Sequence, residues 1–274
     1  MFLYSQDISL IKMITRSLEK AKEAYKNKDK QASILAHSKK TDSNEEHKSG
    51  GAYLKSAVYG GLDGIITTFA VVAGVAGASL SVGIVLILGF ANLFADGLSM
   101  AIGDYLSTKS EREYQLAERK REQWETENYP DGEKKELVEL YTDKGISEWD
   151  AKKIVAIMSK HKKAWIDIMM VEELGIMEST ESPLKNSIVT FVSFCIFGFI
   201  PLLAFILTSL IPFISSIQFQ VATFLTCLTL FTLGALKTRF TGRNWFISGI
   251  EMLFVGGIAA GAAYGIGVLL GGLA

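Results

Sequence analysis

Cysteine and histidine are almost missing from this 274-residue chain, which has two of the first and three of the second. Cys195 and Cys227 fall in separate apolar windows with no metal-type spacing around them, so both read as small membrane residues and not as a disulfide or thiolate metal site. Three histidines are too few for a membrane di-iron enzyme built on histidine clusters. No Glu-x-x-His pair is present either, which disfavours a ferritin-like oxidase site. No enzymatic activity and no nucleic-acid partner are expected. A signal peptide is not evident, since residues 1–18 mix charges with only short apolar runs.

Charge is also absent from long stretches. A mean hydropathy of +0.26 conceals two populations. Residues 1–56 and 107–182 hold most of the charge, while the apolar windows hold almost none. The acidic residues outside those two segments are Asp63, Asp96, Asp104 and Glu251, and all four fall inside apolar windows. A charged group in lipid costs at least a few kcal/mol unless it faces a partner or a polar path, so function is their default reading.

The apolar windows run over about 57–80, 83–106, 184–210, 219–236 and 245–270. Each is long enough to cross a hydrocarbon core of about 30 Å, which takes roughly 20 helical residues. The sequence therefore predicts an all-α integral membrane protein with five transmembrane helices. In the first span, Gly60 and Gly64, Ala70 and Gly74, and Ala73 and Gly77 recur at four-residue spacing, which lets helix backbones approach closely. Pro201 in the third span is tolerable where neighbouring helices satisfy the backbone. Lys and Arg are absent from loops 1–2 and 3–4 and from the C-terminal end. By the positive-inside rule the N-terminus and the 107–182 insert are cytoplasmic and the C-terminus lies across the membrane.

The sequence divides into a Lys-rich tail (1–52), spans one and two (53–106), the insert (107–182) and spans three to five (183–274). The tail predicts a short amphipathic helix near 8–25 followed by a disordered link carrying His37 and His47. In the insert, no proline interrupts 93–127, so the second span continues as a helix into solvent. A break at 128–132, a helix over 133–142 closed by Gly145, and a capping box at Ser147 opening a helix over about 147–178 complete a three-helix domain.

Asp96, Met100 and Asp104 lie at four-residue spacing on one face of the second span. Glu111, Glu118, Glu122 and Glu125 form a face of its extension. The pairs Glu122-x-x-Glu125 and Glu133-x-x-Glu136 each put two carboxylates on one helical face, and Glu173 lies one turn from Met169 and Met170. Carboxylates with thioether sulfur favour softer first-row metals such as Fe²⁺ over Ca²⁺ or Mg²⁺. Solvated, salt-bridged helices would show the same Glu/Lys pattern, and both methionines could equally be core.

The stretches YGGLDGIITTFAVVAGV (59–75), ADGLSMAIGDYLSTKSEREY (95–114), the paired Glu-x-x-Glu motifs and MMVEELGI (169–176) resemble the vacuolar iron transporter family, related to the yeast vacuolar iron importer, over about residues 53–270. The Lys-rich tail lies outside the resemblance and suggests a protozoan parasite member. The resemblance implies a homodimer with a cytoplasmic three-helix metal-binding domain between spans two and three, moving Fe²⁺ from the cytosol into a vacuole-like or other endomembrane compartment in exchange for protons, for storage and detoxification. It implies Asp63 and Met100 as intramembrane metal positions, and Glu122, Glu125, Glu133, Glu136, Met169, Met170 and Glu173 as cytoplasmic ones. Asp104 stands where relatives often carry Glu, which leaves it, with Asp96 and Glu251, as an additional path residue. Mn²⁺, Zn²⁺ and Co²⁺ are further candidate substrates. A divalent-metal channel without proton coupling and a non-transporting metal sensor or scaffold remain alternatives. Metal affinity is expected to fall as pH drops toward the carboxylate range near 4.

Overall fold

A computed structural model describes residues 23–38, 50–177, 181–208, 211–241 and 243–273. The chain divides into two units, 1–50 and 51–274. In the first, helix α1 (Lys30–Ser38) occupies part of what the sequence predicts as a disordered link. Asp29 explains the difference. Its Oδ1 accepts from the amides of Gln31 and Ala32 at 2.9 and 3.0 Å, which caps the helix start. His37 lies in α1. Most of the helix expected over 8–25, and His47, fall outside the described residues.

The second unit contains α2 (Gly50–Gly77), α3 (Val82–Asn128), α4 (Pro130–Asp143), α5 (Glu148–Met158), α6 (Lys162–Glu172), α7 (Pro183–Leu207), α8 (Gln218–Thr241) and α9 (Trp245–Leu270), with a 3₁₀ turn at Pro212–Ser216. Five of these helices, α2, α3, α7, α8 and α9, are long and apolar enough to cross a membrane. Helix α3 has 47 residues, about 70 Å at 1.5 Å per residue, so a 30 Å hydrocarbon core leaves more than half of it outside.

Two details of the insert differ from expectation. Helix α4 starts at Pro130, three residues early, because proline suits the first helical turn, where its missing N–H has no partner to lose. The helix expected over 147–178 is two helices separated by a turn at residues 159–161. Packing accounts for the split. α5 packs on α4 whereas α6 packs on α3, and only a bend lets Val155 and Trp165 join Leu137 and Met169 in one buried cluster. The Ser147 cap forms as expected, its Oγ accepting from the Asp150 amide at 3.2 Å. Gly145 ends α4 with φ +92°, a left-handed conformation that glycine adopts without strain.

In the membrane bundle, Phe69, Val72, Val85, Leu93, Phe194 and Leu202 share a buried core. The small residues of α2 do what their spacing suggests. A Cβ on Gly60 would meet the Thr190 carbonyl of α7, and one on Gly64 the Phe194 carbonyl. Because backbone cannot move aside as a side chain can, Gly64→Ala is expected to destabilise the bundle by roughly 1–3 kcal/mol. Thermal unfolding in detergent checks this: Gly64→Ala should melt several degrees lower, while Gly103→Ala, whose Cβ meets nothing within 4 Å, should not.

Candidate metal centre and membrane path

The extension of α3 carries Glu122, α4 carries Glu133, and Glu173 caps the end of α6. The packing of α4 and α6 on α3 brings one carboxylate oxygen of each within 4.8 Å of the others, a spacing that one metal ion can bridge. Glu122 is fully buried and Glu133 nearly so, while Glu173 is exposed. Both oxygens of Glu122 and Oε2 of Glu133 are buried and accept no hydrogen bond among the described residues. Buried carboxylates that accept no hydrogen bond are costly, and the single charge of Arg121, 3.2 Å from Glu122 Oε1, does not balance three acids, so the cluster calls for protons or a further cation.

Its electrostatics point the same way. Burial, and then the charge of Glu173, push the Glu122 carboxyl up to about 7 against the opposing effect of Arg121. Burial, and then Glu122, push Glu133 up to about 7. Burial, followed by the charge of Glu136, raises Glu173. This moves the titration of the cluster well above the range near 4 expected from unperturbed carboxylates, because the sequence does not reveal burial.

The remaining insert positions surround this centre. Glu125 and Glu136 act electrostatically on Glu122, Glu133 and Glu173. Met169 and Met170 are buried, and Met169 packs in the Leu137, Val155 and Trp165 core. Glu111 lies apart on the exposed helix, where Gln115 Nε2 donates to it at 3.4 Å. Ion pairs between Arg119 and Asp167, Lys162 and Glu127, and Lys144 and Glu172 tie α6 to α3 and α4 and so fix where Glu173 stands.

Within the membrane bundle, Asp63 on α2 is partly buried and interacts electrostatically with Asp96 on α3. Asp96 lines a groove of about 690 Å³ with Val71, Asn92, Ala95 and Ser99. Met100 is partly buried and packs against the bundle core. Asp104 is engaged elsewhere: Thr190 of α7 donates to its Oδ2, and Thr108 donates to its Oδ1 at 3.4 Å. Glu251 on α9 stands 4.0 Å from Lys237 on α8, an interhelix ion pair. Asn92 was missed by the spacing argument. Its Nδ2 donates to Thr67 and Thr68 of α2 at 3.2 and 3.4 Å. Extending the four-residue ladder one turn back from Asp96 would have found it.

The arrangement defines a polytopic helical membrane protein whose longest helix carries both a member of the carboxylate cluster and acidic residues of its apolar, membrane-crossing part. It belongs to the VIT family, whose sequence profile matches residues 54–268. The chain is 42% identical, over 268 residues covering 93% of it and 89% of the relative, to a Toxoplasma gondii protein named vacuolar iron transporter. A Plasmodium falciparum protein of the same name is 36% identical over 94% of this chain and 98% of its own. Vacuolar iron transporter 1 of Arabidopsis thaliana is 35% identical over 80% and 87%.

Proposed function

We propose that this protein moves Fe²⁺ out of the cytosol into a vacuole-like compartment in exchange for protons, as a homodimer. The observation that carries this reading is the meeting of Glu122, Glu133 and Glu173, with Met169 and Met170 buried nearby, on the extension of the helix that bears Met100. The names of the relatives support iron as the cargo. In this reading residues 107–182 are the cytoplasmic metal-binding domain between spans two and three, flanked by spans 53–106 and 183–274, and residues 1–52 are a cytoplasmic tail. The insert gathers metal through Glu122, Glu125, Glu133, Glu136, Glu173 and the two methionines. Asp63 and Met100 pass it through the bilayer.

Exchange for protons fits the carboxylate chemistry, since a buried carboxylate releases its proton when metal binds and regains one when metal leaves. Dimerisation fits the groove beside Asp96. Asp96 and Ser99 line this open groove, and polar groups against lipid are costly unless another protein surface covers them. Reconstituted vesicles test the reading. Fe²⁺ uptake should accelerate several-fold when the receiving lumen is acidic, and Mn²⁺, Zn²⁺ and Co²⁺ should compete for entry. Uptake indifferent to an imposed pH gradient would leave a divalent-metal channel in place of an antiporter.

A further inference from the structure

Arg121 lies on α3 three residues after Glu118 and four before Glu125, spacings at which helix side chains meet, and its long side chain can also bend to Glu122 beside it. It does. Nη2 is 2.8 Å from Glu118 Oε2 and 3.2 Å from Glu122 Oε1, and Nη1 is 3.3 Å from Glu125 Oε2. The first and last of these resemble ordinary helix-surface pairs, each worth little. The contact with Glu122 is different in kind, because Glu122 is fully buried and accepts no hydrogen bond among the described residues. Arg121 is also the cation that opposes the mutual repulsion of the acidic groups at both Glu122 and Glu173. Its own side chain is 45% exposed, so the guanidinium sits at the mouth of the cluster with a route into solvent. The neighbouring cations Arg119, Lys144 and Lys162 hold acidic residues outside the cluster instead.

We propose that Arg121 is an internal counter-cation of the carboxylate cluster, which holds Glu122 and Glu125 when metal is absent, swings into solvent when metal enters, and returns to promote release. This rests on the reading of the cluster as the intake site for the transported metal. The physical logic is competition for the same oxygens. A divalent ion must take Glu122 and Glu125 from the guanidinium, which lowers net affinity. On departure the returning guanidinium spares those carboxylates their mutual repulsion, which lowers the barrier to release. Arginine suits the role because it stays charged throughout and its planar fork spans several carboxylates at once. A cargo-handling site gains from such a device, since carboxylates tight enough to capture scarce metal would otherwise retain it.

The test uses the full-length protein in detergent and Mn²⁺ as the probe, with affinity measured by calorimetry and release by rapid mixing with a chelator. A Glu122→Gln/Glu133→Gln variant identifies the binding that belongs to the cluster. Relative to wild type, Arg121→Gln should bind Mn²⁺ roughly five- to tenfold more tightly at the cluster, the scale of about 1 kcal/mol of lost competition, and release it correspondingly more slowly. Arg121→Lys, which keeps the charge but not the fork, should fall between the two. If Arg121 merely braces the helix, its removal weakens binding or leaves it unchanged, and that result overturns the proposal while the metal-site reading stands. If wild type and the Glu122→Gln/Glu133→Gln variant bind Mn²⁺ equally, the intake-site reading fails and takes the proposal with it.

Discussion

Glu122→Gln is expected to stabilise the metal-free protein at neutral and alkaline pH while removing most of its metal affinity. The sign follows from linkage. The folded-state carboxyl is pushed up to about 7 from an ordinary value of 4.5, so between those values the folded protein holds a proton that the unfolded chain has released. Stability therefore declines as pH rises through that window, and the penalty is complete above about 7. Glutamine has no charge to bury, so the variant escapes the penalty. At about 1.4 kcal/mol per pKa unit, the gain at pH 8 is on the order of 1–3 kcal/mol, with almost no gain at pH 4. Metal reverses the ranking. Glutamine offers a neutral oxygen in place of a carboxylate, and a lost ligand should cost at least the 10–100-fold in affinity typical of lost supporting contacts around a metal. Wild-type binding near pH 6.5 should also release protons, because ligating carboxylates must be deprotonated. Thermal unfolding from pH 4 to 8, and calorimetry in buffers of different ionisation enthalpy, measure these effects. A variant less stable than wild type at pH 8, with unchanged metal affinity, would falsify this account of the cluster.

Much of the fold is legible in the sequence because lipid imposes few solutions. Apolar windows about 20 residues long satisfy their backbone in lipid by forming helices, and the unbroken 93–127 stretch has no residue to stop it, so α3 runs through as expected. The metal centre is only partly legible. Spacing identifies the pairs Glu122/Glu125 and Glu133/Glu136 but not which member of each turns inward. That choice is made by α4 and α6 docking on α3, which buries Glu122 and Glu133 and leaves Glu125 and Glu136 nearer solvent. The bend between α5 and α6 has no Gly or Pro to announce it. It arises because the two helices pack on different partners. Asp104 shows the opposite limit. Its spacing matches Asp96 and Met100, but spacing does not reveal that Thr190 of α7 donates to it, a contact that ties α3 to α7.

Asp63→Asn should reduce Fe²⁺ uptake into vesicles to background while leaving the fold and metal binding by the insert intact. Asp63 lies on α2 between two points of close helix approach and under the influence of a second carboxylate. Gly60 and Gly64, one turn apart on its own helix, draw the α7 backbone against α2, and across from it the Asp96 carboxylate of α3 acts on it directly. Two like charges in a low-dielectric bundle repel strongly unless something positive lies near them. A metal ion in one phase of the cycle and protons in the other would meet that need, whereas a permanent lysine or arginine would block the path. Asparagine preserves the shape but cannot attract a dication or exchange a proton, so transport fails for an electrostatic reason and not a steric one. Removing one of two repelling charges should leave thermal stability unchanged or raised. Met100→Leu provides the contrast. It conserves volume against the core that Met100 touches, so folding should change by less than about 1.5 kcal/mol, while the loss of sulfur weakens uptake of soft metals. Uptake by Asp63→Asn at the wild-type rate, with normal expression, would remove Asp63 from the path and turn attention to Asp96, which faces the outer groove and would then be the carboxylate that meets the ion.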